Sequence, residues 1–403
     1  MDTRNAQPAY QPEPTPFNLG DLPGLRFAGI PAGIKKSGKP DIGLLVADRA
    51  VPAAAIFTQN KLASPAVVVS REHLARSHGL VRAVVVNSGN ANACTGEQGL
   101  SNARSMAAAV ARLAECPDEQ VLVCSTGVIG HPLPMEAVLG GIQTAWAALS
   151  SGAKAANAFS RAIQTTDAFD KQAAGEFRGV RAAGVCKGAG MIAPNMATML
   201  AFVAIDANIP QQQLSHDVMA IADRSFNAVH VDSHPSTNDS FILLATGQSP
   251  PPADPLPLLE RVCHRLAWLI ARDGEGASKV TTIHVAGAAH PDAARSVARA
   301  VASSALVRTA LFGNDPNWGR FVSQVANCGE VSNAMGIACR VGQTPVFARG
   351  EPMPFKKADL SREMSATDDL HLHIDLADGE ASAMLMTADL GYRYIEINAE
   401  YTT

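Results

Sequence analysis

Short apolar runs alternate with alanine-rich stretches along most of the chain, the pattern of mixed α/β layers. Leu80–Asn87 (LVRAVVVN) and Gln120–Ser125 (QVLVCS) are nearly unbroken apolar runs, which predicts buried strands. Each ends in small polar residues and glycine, so each should deliver a loop at its C-terminal edge. Between them the spacing predicts a helix over Asn102–Ala114 capped by Ser101, and further helices follow at Met135–Ala148 and Ala153–Thr165. The alternation continues with strands at Met199–Ile205, Ser240–Ala245 and Val280–Ala286, and helices at Gln211–Ser225, Pro255–Arg272 and Pro291–Ser303. From Ile337 onward the period falls to two in His371–Leu376, Ser382–Ala388 and Tyr392–Ala399, which predicts an antiparallel meander. Ser249–Pro257 (SPPPADPLP) reads as a rigid loop between strand and helix, with a domain linker as the alternative. A lead of about 15 residues containing Pro8, Pro12 and Pro14 carries no periodic pattern and reads as disordered.

At roughly 100 to 200 residues per domain, 403 residues make two or three domains or one large fused one. Charged residues are 17% against a usual share of about 25%, and 47% are hydrophobic, which favours a big core, an oligomer, or both. Lys and Arg total 33 and Asp and Glu 37, so no basic excess is present to neutralise phosphates, and nucleic acid is not expected as a partner. The seven cysteines are scattered and never spaced C-x-x-C, which argues against a disulfide framework and fits a reducing cytoplasm. The N-terminal segment has no apolar signal core, and nowhere do about 18 apolar residues run together, so neither secretion nor membrane spanning is expected.

The densest group of unusual residues is Val185–Phe202 (VCKGAGMIAPNMATMLAF). A phosphate-binding loop needs its lysine after the glycines and a helix next, whereas here Lys187 precedes Gly188 and Gly190 and a strand follows. A nucleotide site is therefore not expected. Thr198 opens that strand, and by residue type alone it reads as structural, since β-branched residues favour strands and hydroxyls cap turns. His230 and His234 have the i, i+4 spacing of a helical zinc pair, but no glutamate lies between them, Pro235 would break the helix, and no third ligand is evident; no metal is expected. His371 and His373 read as surface residues of a strand, and GNDPNWGR (Gly313–Arg320) as a turn and helix start around a buried indole. Cys186 has no histidine paired with it and does not read as a nucleophile.

The run Lys187, Gly188, Gly190, Met191, Pro194, Asn195, Met196, Ala197, Thr198, Met199, Leu200 resembles the signature of the glutamate N-acetyltransferase family, the ornithine acetyltransferases of arginine biosynthesis. Other family-like blocks stand in order along nearly the whole chain: Val86–Gly96 (VNSGNANACTG), Cys124–Gly130 (CSTGVIG), Thr165–Asp167, Asp273–Lys279 (DGEGASK), GNDPNWGR and Ile397–Thr403 (INAEYTT). The resemblance implies an α/β layered sandwich of the ornithine acetyltransferase or DmpA-like type, ending in the antiparallel C-terminal meander. It also implies self-cleavage between Ala197 and Thr198. After the lead, residues 16–197 would form an α chain and residues 198–403 a β chain, assembled as two of each. Ala193 stands where many family members carry histidine, so cleavage here would not depend on an imidazole at that position.

The implied activity moves acetyl from N2-acetylornithine to glutamate through an acetyl-threonine ester, releasing ornithine and N-acetylglutamate, without metal or nucleotide cofactor. A free α-amino group, with a reference pKa of about 7.7 to 8, can take the proton of its own side-chain hydroxyl, so Thr198 would supply both nucleophile and base. Thr126 and Gly127 are the implied oxyanion donors. Thr165, Lys187, Glu275, Asn398 and Thr403, with Thr198, are the implied substrate contacts, and the choice of Thr165 over Thr166 stays open. Some family members also take acetyl-CoA as donor, and the sequence leaves both donors open. A self-processing aminopeptidase or amidase of related architecture, which delivers the acyl group to water, is the alternative reading.

Overall fold

The computed structural model describes residues 15–194, 199–250 and 254–400. The predicted disordered lead, apart from its last residue, and part of the proline-rich loop lie outside these residues. The described chain falls into two compact units, one within residues 15–227 and 234–270 and the other within 228–233 and 271–400.

The first unit is built on one eight-stranded sheet. Its strands are β1 (Leu25–Ile30), β2 (Ile42–Phe57), β3 (Leu80–Asn90), β4 (Val121–Val128), β5 (Lys171–Phe177), β6 (Val180–Lys187), β7 (Leu200–Ala207) and, after the short β8 (Val229–His230) of the other unit, β9 (Ser240–Ser249). The order is β4-β3-β2-β9-β7-β6-β5, with β1 also paired to β2. The 16-residue β2 serves both halves of the sheet: its first part pairs with β1 and β3, and its last five residues pair with β9. The two halves pack face to face, because Leu45, Val84, Val86 and Leu122 from one and Val185, Phe202 and Ile242 from the other share a single buried cluster.

Alternate residues of the same strands, Leu44, Val46, Val85 and Val123, face outward into a second cluster. Helices α1 (Pro65–Arg76), α2 (Gly96–Ala114) and α3 (Met135–Ala147) cover it. Both faces of these strands are thus buried, which is why the sequence shows unbroken apolar runs rather than alternation. Helix α4 (Ala153–Ala162) sends Phe159 into the inner cluster, where its ring lies 5.9 Å from Phe27 and 5.2 Å from Phe202. Helices α5 (Gln211–Asp223) and α6 (Leu256–Arg272) follow the strands of the other half. The layered sandwich that the sequence implies is therefore present.

The second unit carries a seven-stranded sheet, ordered β13-β12-β11-β14-β10-β15-β8. Its further strands are β10 (Val280–Ala288), β11 (Ala338–Val341), β12 (Thr344–Ala348), β13 (Glu351–Pro352), β14 (Asp369–Asp375) and β15 (Ala381–Ala388). Helices α7 (Pro291–Ser303), α8 (Ala305–Phe312), α9 (Trp318–Ala326) and α10 (Lys357–Ser365) cover one face. The antiparallel meander exists as β11-β12-β13, but β14 and β15 are not neighbours: β10 lies between them, parallel to one and antiparallel to the other.

Three boundaries differ from the pattern-based expectation. Helix α2 starts at Gly96 rather than Asn102, with Thr95 and not Ser101 at its N-cap. Gly99 lets its first turn pass within contact of Pro65 and Asn92, so close packing outweighs the weak helix propensity of two glycines. Tyr392–Glu400 forms helix α11 instead of a strand. Contacts at helical spacing hold it, Arg393 with Glu396 at 2.7 Å and Asn398 Nδ2 with the Tyr394 carbonyl at 3.0 Å. The third, at the end of β4, belongs to the active site. Truncating Phe159, which is fully buried between two rings, should destabilise the protein by about 3–5 kcal/mol, measured as a fall in the urea unfolding midpoint of Phe159→Ala at unchanged slope.

Candidate active site

At one rim of the first unit, β6 ends and β7 and β9 begin. In register, Lys187 faces Leu200, and Leu200 faces Ser240. Lys187 is 2% exposed, and its ammonium donates to Thr126 Oγ1 at 3.2 Å. Thr126 and Gly127 are not in a loop after β4, as the sequence suggested, but in the strand itself. The parallel ladder continues because Ser88 and Gly89 of β3 stay alongside them. At Gly127 φ is +131°, and a Cβ there would sit 2.4 Å from the Gly89 carbonyl carbon. Only glycine allows the two backbones this approach.

Buried amides hold this strand end in place. Asn87 Nδ2 donates to the Asn90 carbonyl at 2.8 Å, and Asn87 Oδ1 accepts from Ser125 Oγ at 2.6 Å. Asn238 Nδ2 donates to the Ala91 and Ser125 carbonyls at 2.6 and 2.9 Å. Asn92, left-handed at φ +47°, donates through Nδ2 to the Gly99 carbonyl and accepts from the Thr95 hydroxyl. Asn90 Nδ2 donates to the His131 and Pro132 carbonyls at 3.2 and 3.1 Å, which accounts for the third asparagine of VNSGNANACTG, and Asn238 joins them from a segment the motifs did not include.

Asp167 joins the loops on either side. Its Oδ1 accepts from Lys171 Nζ at 2.6 Å and from the Gly188 amide at 2.8 Å, and its Oδ2 accepts from the Thr165 amide at 2.9 Å. The side chains of Asp167 and Lys171 are both fully buried. Burial acts to raise the Asp167 pKa, yet Lys171, Lys187 and these hydrogen bonds together hold it below the usual carboxylate range. Lys35, which bonds the Pro40 carbonyl at 2.7 Å, is lowered to about 8. Burial is the main cause, opposed by Asp41 and Asp167 and reinforced by Lys187 and Lys39.

Asp239, immediately before β9, accepts from the Met199 amide at 3.2 Å. That amide belongs to the peptide bond joining Thr198 to Met199. Burial drives the Asp239 pKa well above the ordinary value and outweighs the Met199 amide, the Thr58 and Ser236 hydroxyls and Lys187, which all favour the ionised form. Lys35, Lys171 and Asp239 were not found from sequence, because a single charged residue carries no signal until its burial is known.

In the second unit, Asn398 Nδ2 donates to Glu275 Oε2 at 3.0 Å and to the Tyr394 carbonyl at 3.0 Å. The DGEG loop meets α11 closely: a Cβ on Gly276 would lie 2.4 Å from the Tyr394 nitrogen. Two of the sequence-derived site residues are thus paired there, while Ala197, Thr198 and Thr403 lie outside the described residues. His230 is in strand β8, not a helix. Its ring nitrogens meet Thr387 Oγ1 at 3.2 Å and Ser233 Oγ at 2.7 Å, and burial, with Arg308 and Arg299, lowers its pKa to about 3. Cys186 is buried, with Sγ on the Leu266 carbonyl, and none of the seven cysteines forms a disulfide. In GNDPNWGR, Asn317 caps α9 and Trp318 stacks on Phe347 at 5.3 Å; the indole is half-buried rather than buried, being packed on one side of the sheet core.

The model of the ArgJ family matches residues 26–403. The chain belongs to the ArgJ family. Its activity is accordingly that of the family, acetyl transfer in arginine biosynthesis. Relatives include the arginine biosynthesis bifunctional protein ArgJ of Rhodopirellula baltica, 42% identical over 98% of this chain and 99% of that protein. The protein of the same name from Geobacter sulfurreducens is 42% identical over 95% and 100%. Among solved structures, ArgJ from Bacillus halodurans is 33% identical with a TM-score of 0.47, covering 49% of this chain and 96% of its own. Ornithine acetyltransferase of Mycobacterium tuberculosis complexed with ornithine is 34% identical with a TM-score of 0.40, covering 44% and 95%. Among the described residues, no helix is long and apolar enough to cross a membrane.

Asp167→Asn would leave Lys171 buried without its counter-charge, at a cost of about 3–5 kcal/mol near pH 7. Because the folded pKa is depressed, the carboxylate's contribution is complete above the unfolded value of 3.8 and is lost as pH falls from there toward the folded one. Unfolding curves should therefore show a gap between wild type and variant that is wide at pH 7 and narrows below about pH 3.8.

Proposed function

We propose that this chain cuts itself between Ala197 and Thr198 and then carries acetyl from N2-acetylornithine to glutamate as an ester on Thr198. The observation that supports this reading most directly is the buried contact of Lys187 with Thr126, beside a glycine whose neighbours tolerate no side chain. It gathers a cation, a hydroxyl and a close-packed backbone at the rim where β7 begins. In the first half-reaction the freed α-amine of Thr198 takes the hydroxyl proton and the oxygen attacks the acetamide carbonyl. Thr126 and Gly127 meet the oxyanion, and ornithine leaves with the proton. In the second, the glutamate amine attacks the ester, and N-acetylglutamate departs with Thr198 restored. Acetyl passes from amide to ester to amide, so the route needs no metal or nucleotide.

Lys187 is assigned to the substrate carboxylate, which suits a rim where Lys35, Lys171 and Lys187 share the influence of Asp167. Thr165, Glu275, Asn398 and Thr403 complete the proposed substrate contacts. Assembly as two α and two β chains in the cytoplasm belongs to the same proposal, and acetyl-CoA is its second candidate donor.

On a denaturing gel the purified protein should give two bands that together account for the chain, and Thr198→Ala a single full-length band. Thr126→Val, which keeps the β-branched shape but removes the hydroxyl, should lower kcat by about 10²–10³ while leaving self-cleavage products visible. The rate is read in an assay that supplies N-acetylornithine and glutamate and separates N-acetylglutamate from free acetate. Predominant acetate would mean transfer to water and overturn the transferase reading.

A further inference from the structure

The sheet of the second unit has two dissimilar faces. Ile283 and Val285 of β10, with Leu370, Leu372 and Ile374 of β14, point into the core beneath α7–α10. The residues between them point the other way. On that face β14 presents His371 and His373, two residues apart, and the parallel register sets His284 of β10 directly opposite His373. Side chains paired across adjacent strands share a face, so the three imidazoles converge. One ring nitrogen from each lies within 4.8 Å of the other two, and His284 Nε2 is 3.0 Å from His371 Nδ1. The His284 ring is parallel to that of His373 at a centroid spacing of 4.5 Å. None of the three belongs to the acyl-transfer set.

We propose that His284, His371 and His373 form a binding site for a divalent transition metal of the zinc type, with three imidazole nitrogens as ligands and a further position open to water. Zinc takes imidazole at about 2.0–2.1 Å, so ligand nitrogens must stand a little over 3 Å apart; His284 Nε2 and His371 Nδ1, in hydrogen-bond contact at 3.0 Å, are close to that spacing and would exchange their shared proton for the metal. The surroundings have the form of an outer shell. His371 turns Nδ1 toward the cluster and Nε2 toward the Asp369 carboxylate, 3.8 Å away and so just beyond hydrogen-bond reach, the side from which a carboxylate orients a ligating ring once it closes. Arg340, opposite His373 on β11, sends its guanidinium to the Gly342 carbonyl at 2.6 Å. Met384 faces His284 from β15, placing a thioether on the same side of the sheet. Three neutral imidazoles with no carboxylate among them favour zinc, copper(II) or nickel(II) over magnesium or calcium. His371 is exposed, so the site is open to exchange.

The test uses tag-free, self-processed protein stripped with chelator and titrated with zinc chloride by calorimetry. One zinc per chain at micromolar or tighter affinity is expected, with X-ray absorption showing a first shell that includes three imidazoles. His371→Ala and His373→Ala should each weaken uptake at least tenfold. His371 is exposed and outside the acyl-transfer set, so its variant should keep the acetyl-transfer rate, which shows that the fold is intact. A zinc-dependent rise in melting temperature, absent in His371→Ala, is the second readout, since a metal joining β10 to β14 binds the folded state alone. Failure to take up zinc at that affinity, or uptake unchanged in both variants, overturns the proposal.

Discussion

Asp167 accepts hydrogen bonds from the Lys171 ammonium and from the amides of Gly188 and Thr165, and its charge also acts on Lys187 and Lys35. Removing an ammonium from water costs several kcal/mol even after relaxation, and the rim of the first unit buries more than one. Lys171 and Asp167 offset each other at 2.6 Å. Lys187 has the Thr126 hydroxyl and the field of the same carboxylate, and Lys35 settles at a pKa of about 8 because burial outweighs both of its acidic neighbours. Lys35, Lys171 and Lys187 together outnumber Asp41 and Asp167, and Asp239, a further acid of the rim, is pushed by burial toward its neutral form. That balance favours a positive potential at the rim, the sign that suits the carboxylate substrate proposed above.

Such a cluster keeps its geometry only on a stiff support. Asn87, Asn90, Asn92 and Asn238 supply it by bonding backbone carbonyls and amides at 2.6–3.2 Å where the strands stop pairing regularly. A buried amide left without partners would cost about 1–3 kcal/mol, so this network resists change at any one member. Gly127 adds a steric limit to the hydrogen-bonding one. Its would-be side chain collides with backbone, which cannot move aside as a flexible side chain would.

What the sequence made legible follows from these forces. Strands buried on both faces announce themselves by composition, so β3, β4, β7 and β9 are legible, although each runs on past its expected end, to Asn90, Val128, Ala207 and Ser249. Helix α11 is not, because Tyr-Arg-Tyr-Ile-Glu-Ile satisfies a period of two and also allows the helical contacts of Arg393 with Glu396 and Asn398 with Tyr394. The contiguous motifs carrying Thr126, Gly127 and Lys187 were recognisable one by one, and their meeting at 3.2 Å depends on the bend of the sheet across β2. Asp239 and Lys171 stand out by burial alone, and burial is a property of the fold. The histidine cluster is the extreme case: His284 and His371 lie 87 residues apart, and nothing short of the β10–β14 register brings them together.

The proposed scission has consequences for this architecture. Residues before it supply β2 and β6, and residues after it supply β7 and β9, which pair with them in two antiparallel ladders, β6 with β7 and β2 with β9. The inner core is likewise shared, with Val185 on one side and Phe202 and Ile242 on the other. Cutting the backbone would therefore leave the sheet and its core in place and release only a new amine at the start of β7. That amine belongs to the residue two positions before Leu200, which is opposite Lys187 in the ladder. An ammonium lowers the pKa of a nearby amine from its reference of about 7.7 to 8, and burial, which raises the Asp239 pKa, weakens the counter-charge from that side. A positive field at the rim would thus suit the proposed carboxylate substrate and also favour the neutral amine, the form a general base requires.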